Sequence, residues 1–450
     1  MKNRFFNAVL SCLGAIALTP ALASAAQWTS FSIGKLTGYT TAFTTTPDGR
    51  FVLGANASVF VQGTFGAAAK TTIPSGGVTY DPSFVTVKDA TTALLGAGGF
   101  SGPSGVHSFD PSTPATAVTS TALTSLQNYT AAYWKHPTSG REGWLIGGGN
   151  GASGAHNVTF VSLDGSKVGA ITGALCTYSS GITVDTAGNL LTAIYELDNS
   201  PNAADAEKVF KFTADQVDTA VAAVIAGTPA PVARSAAQFV FKFDTAATIA
   251  VDSLNRVWAA GFKKSALQVF DPATGLTKRY VPDHAKIVGA AGPTTYQVQA
   301  FAHNAVNYVA FLGSDLFTTA NTDIVYGYKP VSELLMPAVQ FASTSQTVAE
   351  SVGSVTLTAM LNVAPTTKLT VPITLSGTAT KGADYNSPTS LVFNAGETTK
   401  SITLTITDDA IDEPIDSETV IVKLGKPSLS AYTAAINGTE QVVITITDND

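Results

Sequence analysis

Short apolar runs bounded by Asp, Gly, Asn and Pro follow one another from about Gln27 to Pro330. Such spacing reads as a succession of strands and turns. From Ala338 onward the alternation becomes strict. Val355-Thr356-Leu357-Thr358-Ala359-Met360-Leu361, Leu369-Thr370-Val371-Pro372-Ile373-Thr374-Leu375, Ser401-Ile402-Thr403-Leu404-Thr405-Ile406 and Thr419-Val420-Ile421-Val422-Lys423-Leu424 each carry an apolar residue at every second position. A period of two places one face in a core and the other in water. Pro372 is expected on a sheet edge, because proline donates no ladder bond. One segment breaks the rule. Thr213-Ala214-Asp215-Gln216 has capping-box spacing, Val217, Ala220, Val221, Val224 and Ile225 share a helical face, and Gly227 and Pro229 follow. A helix over 213–226 is predicted. The chain is otherwise all-β.

Two phrases recur in the first part. Thr46-Pro47-Asp48-Gly49-Arg50-Phe51-Val52-Leu53-Gly54-Ala55 matches Val184-Asp185-Thr186-Ala187-Gly188-Asn189-Leu190-Leu191-Thr192-Ala193 and Val251-Asp252-Ser253-Leu254-Asn255-Arg256-Val257-Trp258-Ala259-Ala260. Val106-His107-Ser108-Phe109-Asp110-Pro111 matches Leu267-Gln268-Val269-Phe270-Asp271-Pro272, with Lys208-Val209-Phe210-Lys211-Phe212 in the corresponding place of the middle copy. Repetition on this scale points to a radial or stacked β array. The phrases resemble those of NHL-type and senescence-marker (SMP-30)-type β-propellers. The resemblance implies about six blades, near 40–65, 78–112, 128–165, 178–213, 243–272 and 294–328, within a domain spanning 27–330. A pair of β-sandwiches is the alternative reading of the same runs. Tyr328 to Met336 reads as the linker.

The second part carries the most telling chemistry. Asp408-Asp409-Ala410-Ile411-Asp412-Glu413-Pro414-Ile415-Asp416 holds five carboxylates in nine residues, and the sequence closes on Asp448-Asn449-Asp450. Like charge at this density is costly unless a cation offsets it. Oxygen ligands on loops suit calcium, which takes about 6–8 of them. About seven strands in this length suggest an immunoglobulin-like sandwich. Val348-Ala349-Glu350-Ser351-Val352-Gly353, Gly377-Thr378-Ala379-Thr380-Lys381-Gly382-Ala383-Asp384-Tyr385, Leu391-Val392-Phe393-Asn394-Ala395-Gly396-Glu397, the acid cluster and the last triplet occur in that order. Together they resemble the Calx-β domain, the calcium-binding sandwich of sodium/calcium exchangers, over 338–450. The resemblance implies Ca2+ ligands at Glu350, Asp384, Asp408, Asp409, Glu413, Asp448 and Asp450, with the main-chain carbonyl of Ile411. Asp416 stands where the family often has Glu, and Asn449 where it has an acid. Both positions belong to the implied metal set, at reduced reach or charge.

Composition adds export. Lys2 and Arg4, the apolar run Ala8 to Leu18, Pro20 and Ala23-Ser24-Ala25 form a secretory signal peptide over 1–25. Cys12 lies inside the apolar run, so lipidation is not expected. Loss of the leader leaves Cys176 alone, predicted to be a buried thiol with no disulfide. Loss of Lys2 and Arg4 takes the formal charge from −7 to −9. Most of that acidity lies beyond Gln340. No basic stripe invites nucleic acid, and no mature segment is long and apolar enough to span a bilayer.

A catalytic set does not emerge. Glu196 is the best acid for a metal on a propeller axis, while Asp185, Asn189 and Asp252 read as turn residues. His107, His136, His156, His284 and His303 lack ligand spacing. Gly96-Ala97-Gly98-Gly99 and Gly147-Gly148-Gly149-Asn150-Gly151 lack the Lys-Ser/Thr of a phosphate loop. The expected function is an exported, non-enzymatic calcium-binding protein, extracellular, at the cell surface or periplasmic, with a role in binding, adhesion or cell communication. Its propeller would take a protein or glycan. The alternatives are a secreted metal-dependent lactonase or hydrolase, and a module of a larger adhesin.

Overall fold

The computed structural model describes residues 28–36, 40–55, 58–62, 71–73, 82–97, 105–113, 119–121, 126–150, 156–176, 179–195, 203–261, 266–281, 298–303, 305–312, 322–410 and 417–448. Strand β1 (Thr29–Leu36) opens the fold. Five four-stranded blades follow in chain order. They are β2 (Thr40–Thr45), β3 (Phe51–Ala55), β4 (Ser58–Gln62), β5 (Thr71–Ile73); β6 (Pro82–Val87), β7 (Ala93–Ala97), β8 (Gly105–Phe109), β9 (Thr119–Thr121); and β10 (Leu126–Lys135), β11 (Glu142–Asn150), β12 (His156–Val161), β13 (Val168–Ala170). Next come β14 (Ser179–Val184), β15 (Leu190–Tyr195), β16 (Lys208–Phe212), β17 (Gln238–Lys242), and β18 (Thr248–Val251), β19 (Val257–Ala260), β20 (Leu267–Phe270), β21 (Thr277–Tyr280). The sixth blade is β22 (Val298–His303), β23 (Val306–Leu312), β24 (Thr322–Pro330) and, outermost, β1.

The first strands of successive blades lie side by side, and β22 returns against β2. The array is therefore a closed six-bladed propeller, sealed by pairing of β1 with β24 from Thr29↔Tyr328 to Leu36↔Thr322. Apolar clusters fill the gaps between blades. Phe84, Leu94 and Val106 of the second blade meet Trp144, Ile146 and Val161 of the third. Leu191, Ala193 and Val209 of the fourth meet Ile249, Val257 and Ala259 of the fifth. Small residues are required where blades approach. A Cβ on Gly261 would stand 2.2 Å from Thr245 Oγ1, and one on Gly181 would stand 2.8 Å from the Ala247 carbonyl. Hydroxyls stitch neighbouring blades too: Thr130 Oγ1 accepts from Ile182 N at 3.1 Å, and Thr248 Oγ1 from Val298 N at 3.2 Å.

The first repeated phrase falls on the turn between first and second strands, and the second on the third strand and the turn after it. Asp185 Oδ1 accepts from the backbone of Ala187 and Asn189 at 3.0 and 2.9 Å, and Gly188 takes φ +82°. The side chain thus serves the turn, as the sequence suggests. Helix α1 (Ala214–Ile225) lies between β16 and β17 with Thr213 as N-cap. Gln216 N donates to Thr213 Oγ1 (3.3 Å) and Thr213 N to Gln216 Oε1 (2.8 Å), the predicted box. Val217, Ala220, Val221 and Val224 pack on the third and fourth blades. Ile225, expected on that face, is exposed. Asp218 is buried instead, because Arg141 and Ser139 reach it from the β10–β11 turn.

The C-terminal sandwich has ten strands rather than about seven, the extra ones being short. They are β25 (Ala338–Phe341), β26 (Ser345–Ala349), β27 (Ser354–Leu361), β28 (Leu369–Gly377), β29 (Tyr385–Asn386), β30 (Ser390–Phe393), β31 (Thr399–Ile406), β32 (Ser417–Leu424), β33 (Thr433–Ala434) and β34 (Gln441–Thr447). One sheet runs β29-β31-β27-β25-β33, the other β26-β34-β32-β28-β30. Val355, Leu357, Ala359, Ile402, Leu404, Val420, Val422, Val442 and Ile444 form the core between them. Pro372 corrects one expectation: β28 is an interior strand. Leu369–Pro372 pair with β30 and Ile373–Gly377 with β32, so the proline stands where the partner changes. Its carbonyl accepts from Gly425 N at 2.7 Å.

Candidate metal centre

Register brings four distant segments to one end of the sandwich. β26 and β34 run parallel, with Ala349 beside Thr447. Glu350 and Asp448 are the next residues on the two strands, so they leave the sheet side by side. Thr447 Oγ1 donates to the Val348 carbonyl at 3.2 Å and fastens this corner. In the facing sheet, Tyr385 pairs with Ile406, and Thr407 N donates to the Asp384 carbonyl at 2.9 Å. Asp384 therefore lies at the root of the segment bearing Asp408 and Asp409. Ile406 N donates to the Gly353 carbonyl at 3.1 Å, which ties that root to the turn after Glu350. The chain re-enters the other sheet at Ser417, opposite Thr447.

The local chemistry is mainly acidic, with Lys381 as the base nearest in sequence, three residues before Asp384. No Lys, Arg or His occurs between Lys400 and Lys423 or after Lys426. Glu350 is only 4% exposed, an environment where a carboxylate needs compensation. Thr380 N donates to Asp384 Oδ2, which orients that carboxylate. Burial, and then the Asp384 charge, push the Tyr385 phenol above its ordinary value. Gly353 takes φ +73°, turning the chain directly after Glu350-Ser351-Val352.

Glu350, Asp384, Asp408, Asp409 and Asp448 are thus placed at one tip. Ile411, Glu413, Asp416, Asn449 and Asp450 lie outside the described residues. Among the described residues, no group of three or more His, Cys, Asp or Glu side chains is set to hold a metal ion. The chemistry of the described side chains, all oxygen donors with one buried, is that of a hard cation's ligands.

The propeller residues have other work. Asp252 is buried and pairs with Arg256 at 2.7 Å. Asn189 Nδ2 donates to Asp185 Oδ2 at 2.8 Å, and its Oδ1 accepts from Ala214 N at 2.8 Å, linking turn to helix. His136, Ser139 and Asp215 look like a hydrolytic set, but the bonds are wrong for one. His136 Nδ1 accepts the Ser139 backbone N–H at 2.9 Å, leaving Nε2 to donate to Asp215 at 3.1 Å. Ser139 Oγ donates to Asp218 at 2.7 Å. The hydroxyl thus faces the Arg141-paired Asp218 carboxylate and not the imidazole. His107 is buried and held below the ordinary histidine value by desolvation. His156 is buried, and His303 packs against Phe51. Gly147 and Gly148 are buried within β11. Cys176 is a buried thiol outside any disulfide. Glu196 and His284 lie outside the described residues.

Sequence reasoning passed over the arginines of the first-to-second-strand turns. Arg50 donates to the carbonyls of Ala90 and Pro111 in the next blade. Arg141 holds Asp218 of helix α1. Arg256 reaches the Leu334 carbonyl beyond the last blade. For Arg50 and Arg256, their place in the repeated phrase just before the second strand was the available signal.

The fold and its acidic tip define an all-β protein of two parts. Residues 336–450 match the Calx-beta domain family. Among solved structures, the apo-form Calx CBD1 domain is 22% identical, covering 26% of this chain and 100% of that chain at a TM-score of 0.23. Regucalcin of Agrobacterium tumefaciens, a calcium-binding protein, is 13% identical, with 67% and 93% covered at a TM-score of 0.45. The PQQ-bound aldose sugar dehydrogenase of Streptomyces coelicolor is 10% identical, with 68% and 99% covered at a TM-score of 0.46. No curated protein matches the chain.

Proposed function

We propose that this is an exported calcium-binding protein, in which the sandwich holds Ca2+ at its tip and the propeller takes a protein or glycan ligand without catalysis. The reading is supported by strand register, which directs Glu350, Asp384, Asp408, Asp409 and Asp448 toward one end of the two sheets. The Calx-beta match of the same segment supports it. Ligands would come from those residues, from the Ile411 carbonyl, and from Glu413, Asp416, Asn449 and Asp450. The ion would offset the excess of carboxylates over the single nearby base, Lys381. The chain's own part is to orient Asp384 through Thr380 N–H, and to bury Glu350 away from competing water.

Export rests on the leader sequence, and no helix among the described residues is long and apolar enough to cross a membrane. Calorimetric titration of the mature chain with calcium tests the reading. Wild type should release heat saturably, and Asp408→Ala with Asp409→Ala should abolish or strongly weaken it. Unchanged titration of the variant would refute the site.

A further inference from the structure

The segment joining the two domains is built into the propeller. Val331, Leu334 and Met336 are buried in one apolar cluster with Trp28, Trp258, Tyr280, Val309 and Phe311, between the fifth and sixth blades. Trp28 stands just before β1, edge-on to Phe311 at 5.0 Å and to Tyr280 at 6.2 Å. The segment therefore packs between the fifth and sixth blades, beside the residue that leads into β1.

A buried ion pair fixes it there. Arg256 is 2% exposed. Its Nε donates to Asp252 Oδ2 at 2.8 Å, and Trp258 Nε1 donates to the same oxygen at 2.8 Å. Asp252 Oδ1 accepts the backbone N–H groups of Leu254 and Arg256. The remaining reach of the guanidinium goes to the Leu334 carbonyl, which the Tyr280 hydroxyl approaches at 3.4 Å. A buried guanidinium needs all its partners, and one of them is supplied by residue 334.

The sandwich then continues the contact. Asn362 Nδ2 donates to the Met336 carbonyl at 3.0 Å, and Asn362 Oδ1 accepts from Ala338 N at 2.7 Å. Ile436 N donates to the Thr274 carbonyl at 2.8 Å, and Asn437 Nδ2 to the Ala273 carbonyl at 2.7 Å. Gly275 leaves room for this: a Cβ there would meet Asn437 N at 3.0 Å. These contacts precede β34, whereas the acidic tip follows it. Seven residues of strand put the tip roughly 20 Å from the propeller contact.

We propose that 331–336 is a strap that makes propeller and sandwich one cooperative body, so that the acidic tip is held at a fixed place, remote from the propeller. The two domains share stability through the strap rather than hanging on a tether.

The tryptophans make the test simple. Trp28, Trp134, Trp144 and Trp258 all belong to the propeller side of the strap, and the sandwich has none. The mature full chain is unfolded in urea with chelator present, so the result is independent of the calcium reading. Tryptophan emission follows the propeller. Hydrogen exchange of peptides from β27, β31 and β34 follows the sandwich. Coincident midpoints are expected. Arg256→Lys keeps the charge on Asp252 but cannot also span to Leu334; it and Leu334→Ala should lower the tryptophan midpoint and either separate the two transitions or lower the sandwich midpoint with it. Separate transitions in wild type would overturn the proposal. So would variants that leave both midpoints where they were.

Discussion

Replacing Glu350 by Gln should change the protein's stability in opposite directions with and without calcium. The substitution keeps the side chain's shape in its buried site and removes one negative charge. Without cation, that charge faces the carboxylates that register brings to the same tip, Asp448 beside it and Asp384, Asp408 and Asp409 across the sheets. At an effective dielectric near 20, a full charge pair costs about 4 kcal/mol at about 4 Å before screening, and less in proportion as the distance grows. Relief of one member of the set should therefore gain about 1–3 kcal/mol in chelator. With calcium the sign reverses. A hundred-fold excess of ion over its dissociation constant contributes about 2.7 kcal/mol of stability, and an amide oxygen in place of a carboxylate forfeits most of it. For a unit of roughly 100 residues, each kcal/mol moves the midpoint by about 4–8 °C, and by less for a larger cooperative body. Differential scanning calorimetry of the mature chain and of Glu350→Gln, each in chelator and in calcium, gives four melting temperatures. A shift of the same sign in both conditions refutes the idea that the tip is a repulsive cluster relieved by a cation.

Other perturbations probe the scaffold. Gly377 takes φ +129°, and a Cβ there would stand 2.0 Å from the Thr419 carbonyl; Gly377→Ala should cost about 2–4 kcal/mol by forcing β28 from β32, read by urea unfolding. His107 is held below its ordinary value of 6.5 by burial. The unfolded chain then protonates first, so this contribution is complete above about pH 6.5 and is lost as pH falls below that value toward the folded one. His107→Gln should flatten the stability profile between about pH 7 and 5, and an unchanged slope would assign it elsewhere.

Much of the architecture was legible because it depends on near neighbours in sequence. Strict alternation in Val355–Leu361 announced a strand with one buried face, and the structure buries Val355, Leu357, Ala359 and Leu361. The Thr213/Gln216 box announced helix α1, since both partners lie within one turn. The repeated Asp-containing phrases marked the blade turns, because an aspartate that caps its own turn does so over four residues. Ile225 and Pro372 were misplaced for the complementary reason. A helix face ends where the neighbouring blades end, and a proline's tolerance depends on which strands flank it.

The sequence by itself determined that the chain is all-β, where its strands turn, and that its last quarter concentrates carboxylates. These follow from alternation, turn chemistry and charge density, all local quantities. Tertiary structure alone decided the closure of six blades by β1, and the pairing of β26 with β34 that sets Glu350 beside Asp448. It alone decided the use of Arg256 to hold a carbonyl 78 residues away. Those outcomes depend on register and burial between segments far apart in the chain, where the free energy of a contact is settled by what else has already packed around it.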